Sequence, residues 1–349
     1  MEKINHSTVV EKPKTSEKNK ESLSFFNLHK DDVIKLFRLA DSDNELPAII
    51  DDPRVLHDYA LSRWMKGDHW NPNSRYAHSV AAEDLDEFFY LVDKLQLKEE
   101  IIPPKGTAVD EVVVVGSTFS ANFRRTSLAK SLIDSGRVIF KEAPKICIWA
   151  GQRPSYKSEE VDFADFLSQG YKDEHEVFQD ETDMARFVLH TLWGSKSNGR
   201  LLLPEPVGIY LPEPSELQTF GSSKLQKKPP ISKLGLRDYS QYEYYIPEGH
   251  QTIKILNAEA VPRRQGEPRH TTESCAKEWL ALNNIPNNYT ILEVNGNPHA
   301  YRINAEIKRV FSDAGRPDIN IIGAAISARH DSPPSLYLGE IARILYNDY

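Results

Sequence analysis

DEVVVVGSTFSANFRRTSLAKSLIDSG, residues Asp110–Gly136, decides the fold class. The run Val112 to Val115 is apolar and β-branched, which suits a strand buried on both faces of a parallel sheet. It stops at Gly116, a residue that allows close backbone approach or a turn other residues resist. Ser117, Thr118 and Ser120 follow, then Arg124 and Arg125. Leu128, Leu132 and Ile133 recur at helical spacing, and Gly136 is placed to end the helix. Strand, polar turn and helix in this order form the opening unit of an open α/β sheet, with a ligand expected beyond the strand's carboxyl end.

Further along, KICIW (Lys145 to Trp149), TIKIL (Thr252 to Leu256), TILEV (Thr290 to Val294) and DINII (Asp318 to Ile322) read as strands. Helical stretches separate them, among them one near Asp162 to Leu167 and one starting at Asp180 to Asp183. RHTTESCAKEWLAL starts a helix, with Thr271 or Thr272 as N-cap. Thr272 faces Cys275 at the third position, so no capping box is expected. Further helices are expected around Arg302, Ile303, Ile307 and Val310, and over about Ser335 to Tyr346. This alternation predicts an α/β, Rossmann-like, open and mostly parallel sheet with helices on both faces.

Before the sheet, Val33, Leu36, Phe37 and Ala40 predict one helix and Val55, Tyr59, Leu61 and Trp64 a second. Leu85, Phe88, Phe89, Val92 and Leu95 predict a third. A polar loop with His69, Trp70, Arg75 and His78 lies between the last two and reads as an ordinary helix connection. The domain reading is a disordered tail over 1–24, a helical subdomain over 25–106 and the α/β domain over 107–349. An insertion at about 194–249 interrupts the last. It holds LPEP twice, the basic run KLQKKPP and the tyrosine cluster Tyr242 to Tyr245, which reads as edge-exposed. Short strands or a hairpin are expected there, with a lid or a purely structural excursion as alternatives.

The chain has 349 residues, 40% hydrophobic and 27% charged, with net charge -8. That balance argues against broad nucleic-acid binding. Two cysteines, Cys147 and Cys275, exclude a disulfide scaffold and a cysteine-based zinc cage. No metal motif is present. No apolar stretch reaches the length of a membrane helix and no signal-peptide core is found, so a cytoplasmic protein is expected, with non-classical secretion as the alternative.

The strand-end rule gathers Ser117, Arg124, Arg125, Gly151, Gln152, Arg153, Glu259, Arg263, Arg264, Asn295, His299 and His330. That set is basic, and helix N-termini add positive partial charge, so a small anionic ligand is expected. His299 follows a strand and precedes a helix, as an acid, base or phosphate contact would. Glu181 and Glu273 are the supporting catalytic carboxylates, and Gly116, Thr271 and Arg302 complete the binding set. GSTFS is neither GxGxxG nor a P-loop, and no G-x-S-x-G elbow supports a serine triad.

The ordered set of short motifs resembles the SanA/ElyC/YdcF family. It comprises the strand ending at Gly116 with Arg125 and Ala129, ICIWAG ending at Gly151, Glu181 with Met184, TTES (Thr271 to Ser274) and VNGNPHAYR (Val294 to Arg302). The resemblance covers about Asp110 to Gly323 apart from the insertion. Serine follows Gly116, Ser274 stands for an asparagine, Asn295 for a threonine and Pro268 for a serine. The resemblance implies a Rossmann-like fold and places this chain with the soluble YdcF-type members, which bind nucleoside-type cofactors including S-adenosylmethionine. Other members are membrane-anchored and linked to envelope carrier lipids. The expected function is transfer or hydrolysis on a phosphorylated or nucleotide-type molecule. The alternatives are a non-catalytic nucleotide or S-adenosylmethionine binding module, or a secreted effector contacting a protein through its tail or the 194–249 insertion.

Overall fold

A computed structural model describes residues 24–41, 46, 50–64, 80–151, 180–197, 200–202, 208–210, 241–246, 250–258 and 271–346. The chain starts with helices α1 (Phe25–Ala40), α2 (Pro53–Trp64) and α3 (Leu85–Lys94). Strands β1 (Thr107–Val109) and β2 (Glu111–Val115) lead into α4 (Phe119–Asp134), and β3 (Val138–Phe140) and β4 (Lys145–Gly151) follow. Next come α5 (Glu181–Trp193), the hairpin β5 (Ser195–Ser197) and β6 (Arg200–Leu202), then β7 (Gly208–Tyr210), β8 (Gln241–Ile246) and β9 (Gln251–Ala258). The chain ends in α6 (Thr272–Leu282), β10 (Thr290–Gly296), α7 (Ala300–Asp313), β11 (Asn320–Ile326) and α8 (Pro334–Tyr346).

The main sheet runs β11-β10-β2-β4-β9-β8-β7. Its first five strands are parallel; β8 pairs antiparallel with β9, and β7 with β8. From β2 the chain steps outward through β4 to β9, then returns to the far side of β2 with β10 and β11. The order therefore reverses between β2 and β10, and two helices leave the sheet there in opposite directions, opening a crevice at the strands' carboxyl ends.

Alternation along β2 explains its burial on both sides. Val112 and Val114 share a core with Leu128 and Ala129 of α4 and with Ala185 and Leu189 of α5. Val113 and Val115 face Ala276 and Trp279 of α6 and Ile303 and Ile307 of α7. Gly136 does end α4, with φ +64 in the left-handed region. β11 starts at Asn320 rather than Asp318, because the Asp318 carboxylate is engaged by Arg316 and by the backbone N–H of Asn288.

The insertion contributes the expected hairpin, and its β7 and β8 extend the sheet edge. Tyr242 and Tyr244 are not edge-exposed as read from the sequence. They point into the core beside β9, and Tyr245, the next residue along, faces out. The LPEP and KLQKKPP segments, the tail, the His69–His78 loop and the helix expected at Asp162–Leu167 lie outside the described residues.

α1 and α3 bury the faces expected of them. In α2 the buried face turns on Leu56 and Ala60, leaving Val55 exposed. α8 departs from the domain boundary drawn at residue 107: Tyr337, Leu338, Ile341 and Leu345 lie in the same core as the N-terminal helices. His57 Nδ1 lies 2.8 Å from the Ala342 carbonyl oxygen, tying α2 to α8. The helical layer is thus built from both ends of the chain, and α8 carries it up against α7.

Candidate functional site

The crevice between β2 and β10 is a cleft of about 360 Å³ among the described residues, at the small end of the range for small-molecule sites. Its floor is the turn from Val115 to Thr118 with Arg125. One wall is Trp149, Glu181 and the start of α6 from Thr271 to Glu273. The other is α7, presenting His299, Arg302, Glu306 and Arg309.

Gly116 is required by the packing of this floor. A Cβ there would fall far inside contact distance of Glu181 Oε1 and of the Trp149 carbonyl oxygen. The close approach inferred from the sequence is real, but the partners are protein groups. Arg125 pins the same turn: its Nη1 donates to the carbonyls of Val115 (2.7 Å) and Gly116 (3.0 Å). Burial lowers its pKa to about 10, against the pull of Glu293 and Glu181, so it stays charged at neutral pH.

Helices α4 and α7 both begin at the cleft, and neither Thr118 nor His299 caps its helix through its side chain. Asp180 Oδ1 caps α5 by accepting from the Asp183 N–H at 3.0 Å. Thr271 caps α6, and contrary to the sequence expectation a capping box does form. Thr271 Oγ1 accepts from Ser274 N at 3.1 Å, and Ser274 Oγ accepts from Thr271 N at 2.8 Å. A serine hydroxyl takes the place of the acid normally sought at that position.

His299 Nδ1 lies 2.8 Å from Glu340 Oε2 of α8, and Glu340 is fully buried. Glu340 Oε1 accepts from Arg302 Nε at 2.5 Å, and Oε2 also accepts from Arg343 Nη1 at 3.1 Å. Burial pushes the Glu340 carboxyl up, but the charge of Arg302, with the hydrogen bond from His299 and the charge of Arg343, outweighs it and holds it well below the usual carboxylate range. An ionised carboxylate only accepts hydrogen bonds, so Nδ1 carries the proton and Nε2 is the ring nitrogen left to a ligand. Burial lowers the His299 pKa below its ordinary 6.5, with Glu340 opposing. The ring is therefore predominantly neutral at pH 7, the state of a general base.

Behind the cleft, Glu293 in the middle of β10 is fully buried. Asn295 Nδ2 donates to its Oε1, and Asn304 Nδ2 donates to Oε2 at 3.4 Å. Burial raises its pKa to about 7 despite these donors.

No family model, no curated protein and no solved structure matches the chain. The site therefore rests on its own geometry.

That geometry brings Gly116, Ser117, Arg125, Glu181, Thr271, Glu273, His299 and Arg302 to one cleft. Nine residues of the sequence-derived set are elsewhere or not described. Arg124 is exposed and donates to the Ser327 carbonyl at 3.1 Å, because it leaves α4 on the side facing the end of β11. Asn295 is fully buried and spends its amide on Glu293 and the Ala300 carbonyl. Gly151 ends β4 opposite Ala258, outside the cleft lining among the described residues. Gln152 lies outside the described residues, as do Arg153, Glu259, Arg263 and Arg264. His330 is exposed in the loop after β11 and is not part of the lining.

The expected basic character is also corrected. Among the described residues, Arg125, Arg302 and Arg309 are matched in the lining by Glu181, Glu273 and Glu306. Arg302 is held between Glu340 and Glu306, the latter at 2.7 Å. Glu273 is ion-paired to Lys277 at 2.6 Å and to Arg309 at 3.8 Å, at the half-exposed mouth.

Sequence reasoning missed Glu340, Glu306 and Arg309. Glu340 did leave a signal: it falls on the apolar stripe of α8 between Tyr337 and Ile344, where an acid needs a buried partner. Among the described residues no helix is long and apolar enough to cross a membrane, and no group of three or more metal-ligating side chains is found.

Proposed function

We propose that this is a Rossmann-like enzyme acting on a small phosphorylated or nucleotide-type molecule by group transfer or hydrolysis, with His299 as its acid–base group. The strand order, reversing between β2 and β10, supports the Rossmann-like reading. The resemblance to the SanA/ElyC/YdcF family supports the same reading.

The observation that carries the proposal is the contact of His299 Nδ1 with the buried Glu340 carboxylate at 2.8 Å, at the rim of the switch-point cleft. A surface histidine needs no such support. A fully buried carboxylate beside two arginines and an imidazole costs desolvation, and here it fixes the imidazole's tautomer. The uncapped starts of α4 and α7 supply N–H groups and positive partial charge for an anionic group.

In a hydrolytic cycle, His299 Nε2 takes a proton from water as the water oxygen bonds to the electrophilic centre. The ester bond breaks, and the imidazolium returns that proton to the leaving oxygen. In group transfer an acceptor hydroxyl replaces the water. Glu181, buried against Gly116 on the floor, is the second carboxylate placed to contact the reacting group.

The test is incubation of the purified protein with a panel of phosphate monoesters, nucleotides and S-adenosyl compounds, with products read by ³¹P NMR and chromatography. Turnover that disappears in His299→Asn supports the enzyme. Saturable binding of an intact ligand, with no product, identifies a binding module instead.

A further inference from the structure

We infer that Asn297 is a positioning residue for His299: its side-chain amide ties the turn that carries the imidazole to the segment following α3, and so sets where the ring stands against Glu340. The inference rests on the acid–base reading above and names a residue on which that reading depends.

β10 ends at Gly296 and α7 begins at Ala300, so the connection between them is Asn297, Pro298 and His299 alone. Asn297 is 8% exposed and is not part of the cleft lining. Its Nδ2 donates to the Glu99 carbonyl at 2.6 Å and to the Gln96 carbonyl at 3.1 Å. Both acceptors are backbone oxygens with no proton to give, so the amide nitrogen must be the atom that faces them. Oδ1 is buried and meets no donor among the described residues. A buried acceptor left in that state costs desolvation, so the side chain contributes through its two donated bonds.

The segment that receives those bonds is itself fixed. Gln96 closes α3 in the left-handed region at φ +56, and the Leu97 N–H donates to the Val92 carbonyl at 3.1 Å. Leu97 is buried in the core of the helical layer. The Lys98 carbonyl accepts from the Ala328 N–H at 2.8 Å, and Ile101 exchanges two hydrogen bonds of 2.9 Å with Ala325 of β11. Residues 96–101 form a strap from α3 to the carboxyl end of β11, and Asn297 grips it.

His299 is then held at two points by the helical layer. Glu340 of α8 meets its ring at 2.8 Å, and Asn297, two residues earlier, holds its backbone against the strap. α3 and α8 share one core, with Leu91 and Val92 of the first beside Tyr337 and Ile341 of the second, so the two holds keep a set separation. With the Asn297 bonds removed, the short turn no longer imposes the contact between Nδ1 and Glu340 that selects the tautomer.

The experiment is ¹⁵N NMR of the His299 ring in the full chain at pH 7, comparing wild type, Asn297→Asp, Asn297→Ser and Leu97→Ala. Asn297→Asp keeps the shape but turns a carboxylate on two carbonyl oxygens. Asn297→Ser withdraws the donors without adding charge, and is the variant read where Asn297→Asp does not fold. Leu97→Ala weakens the same strap with the amide's bonds in place. Both Asn297 variants are expected to lose the single Nδ1-protonated form in favour of a mixture of tautomers, and Leu97→Ala to keep the wild-type spectrum at a lower melting temperature. On p-nitrophenyl phosphate, the Asn297 variants are expected to lose about tenfold or more in kcat, with KM within about twofold of wild type. A wild-type spectrum in folded Asn297→Ser, or the same tautomer mixture in Leu97→Ala, overturns the assignment and leaves the acid–base reading intact. A wild-type ring protonated at Nε2 overturns that reading, and this assignment with it.

Discussion

Glu340 reaches from the last helix of the chain to place a carboxylate oxygen 2.8 Å from His299 Nδ1, joining the helical layer to the rim of the sheet's cleft. Any chemistry at His299 thus depends on packing between α8 and the N-terminal helices.

Replacing His299 by asparagine is expected to lower turnover by about 10² to 10⁴-fold, the usual contribution of a positioned acid–base group. The ring is part-exposed, so the melting temperature should change little. A full-rate His299→Asn enzyme would remove the histidine from the mechanism.

Glu340→Gln should act on both stability and rate. Arg302, in a 12% exposed side-chain position, keeps Glu306 but loses its buried counter-charge, and a destabilisation of about 3 kcal/mol is expected. The amide can also donate to Nδ1 and favour the wrong tautomer, so kcat should fall with KM nearly unchanged. Urea unfolding and steady-state kinetics on the same preparation separate the two effects. Loss of stability with an unchanged kcat would make Glu340 purely structural.

Gly116→Ala should destabilise by roughly 3 kcal/mol, since the new methyl meets a backbone carbonyl and a buried carboxylate rather than a flexible side chain. Thermal unfolding checks this. An unchanged midpoint would mean that the floor yields more easily than its packing indicates.

Much of the fold was legible because burial writes itself into apolar periodicity. Val112 to Val115 announced β2, and Ile303, Ile307 and Val310 announced α7. The cleft's location followed from the strand ends. What the sequence hid were charges inside apolar runs. Glu293 sits in TILEV and Glu340 in LYLGEIARIL, both fully buried. The sequence marks each as an anomaly but not its partners. Some of those come from other elements, Asn304 for Glu293 and, 41 positions away, His299 for Glu340. Arg124 and Arg125 show the opposite failure. Neighbours in sequence leave a helix about 100° apart, so one lines the floor while the other meets Ser327.

Glu293 gives a pH-dependent prediction. Its folded pKa of about 7 lies above the ordinary 4.5, so between those values the folded state holds more protons than the unfolded one. This group's contribution to stability therefore falls as pH rises from about 4.5 to about 7, and is level above. Glu340, with a depressed pKa, acts in the opposite sense: its contribution is lost as pH falls below 4.5. His299, also depressed, contributes stability that is lost as pH falls below 6.5, so the Glu293 effect must be read by difference. Glu293→Gln should gain on wild type by on the order of 3 kcal/mol across that window. A pH-independent difference would refute the assignment.

Glu340 holds His299 as a base, and ¹⁵N NMR of the imidazole reads this directly. Long-range proton–nitrogen correlations on wild type at pH 7 are predicted to show a neutral ring protonated at Nδ1, titrating below 6.5, with the tautomer changed in Glu340→Gln. A neutral ring protonated at Nε2, or a spectrum indifferent to Glu340→Gln, would contradict it.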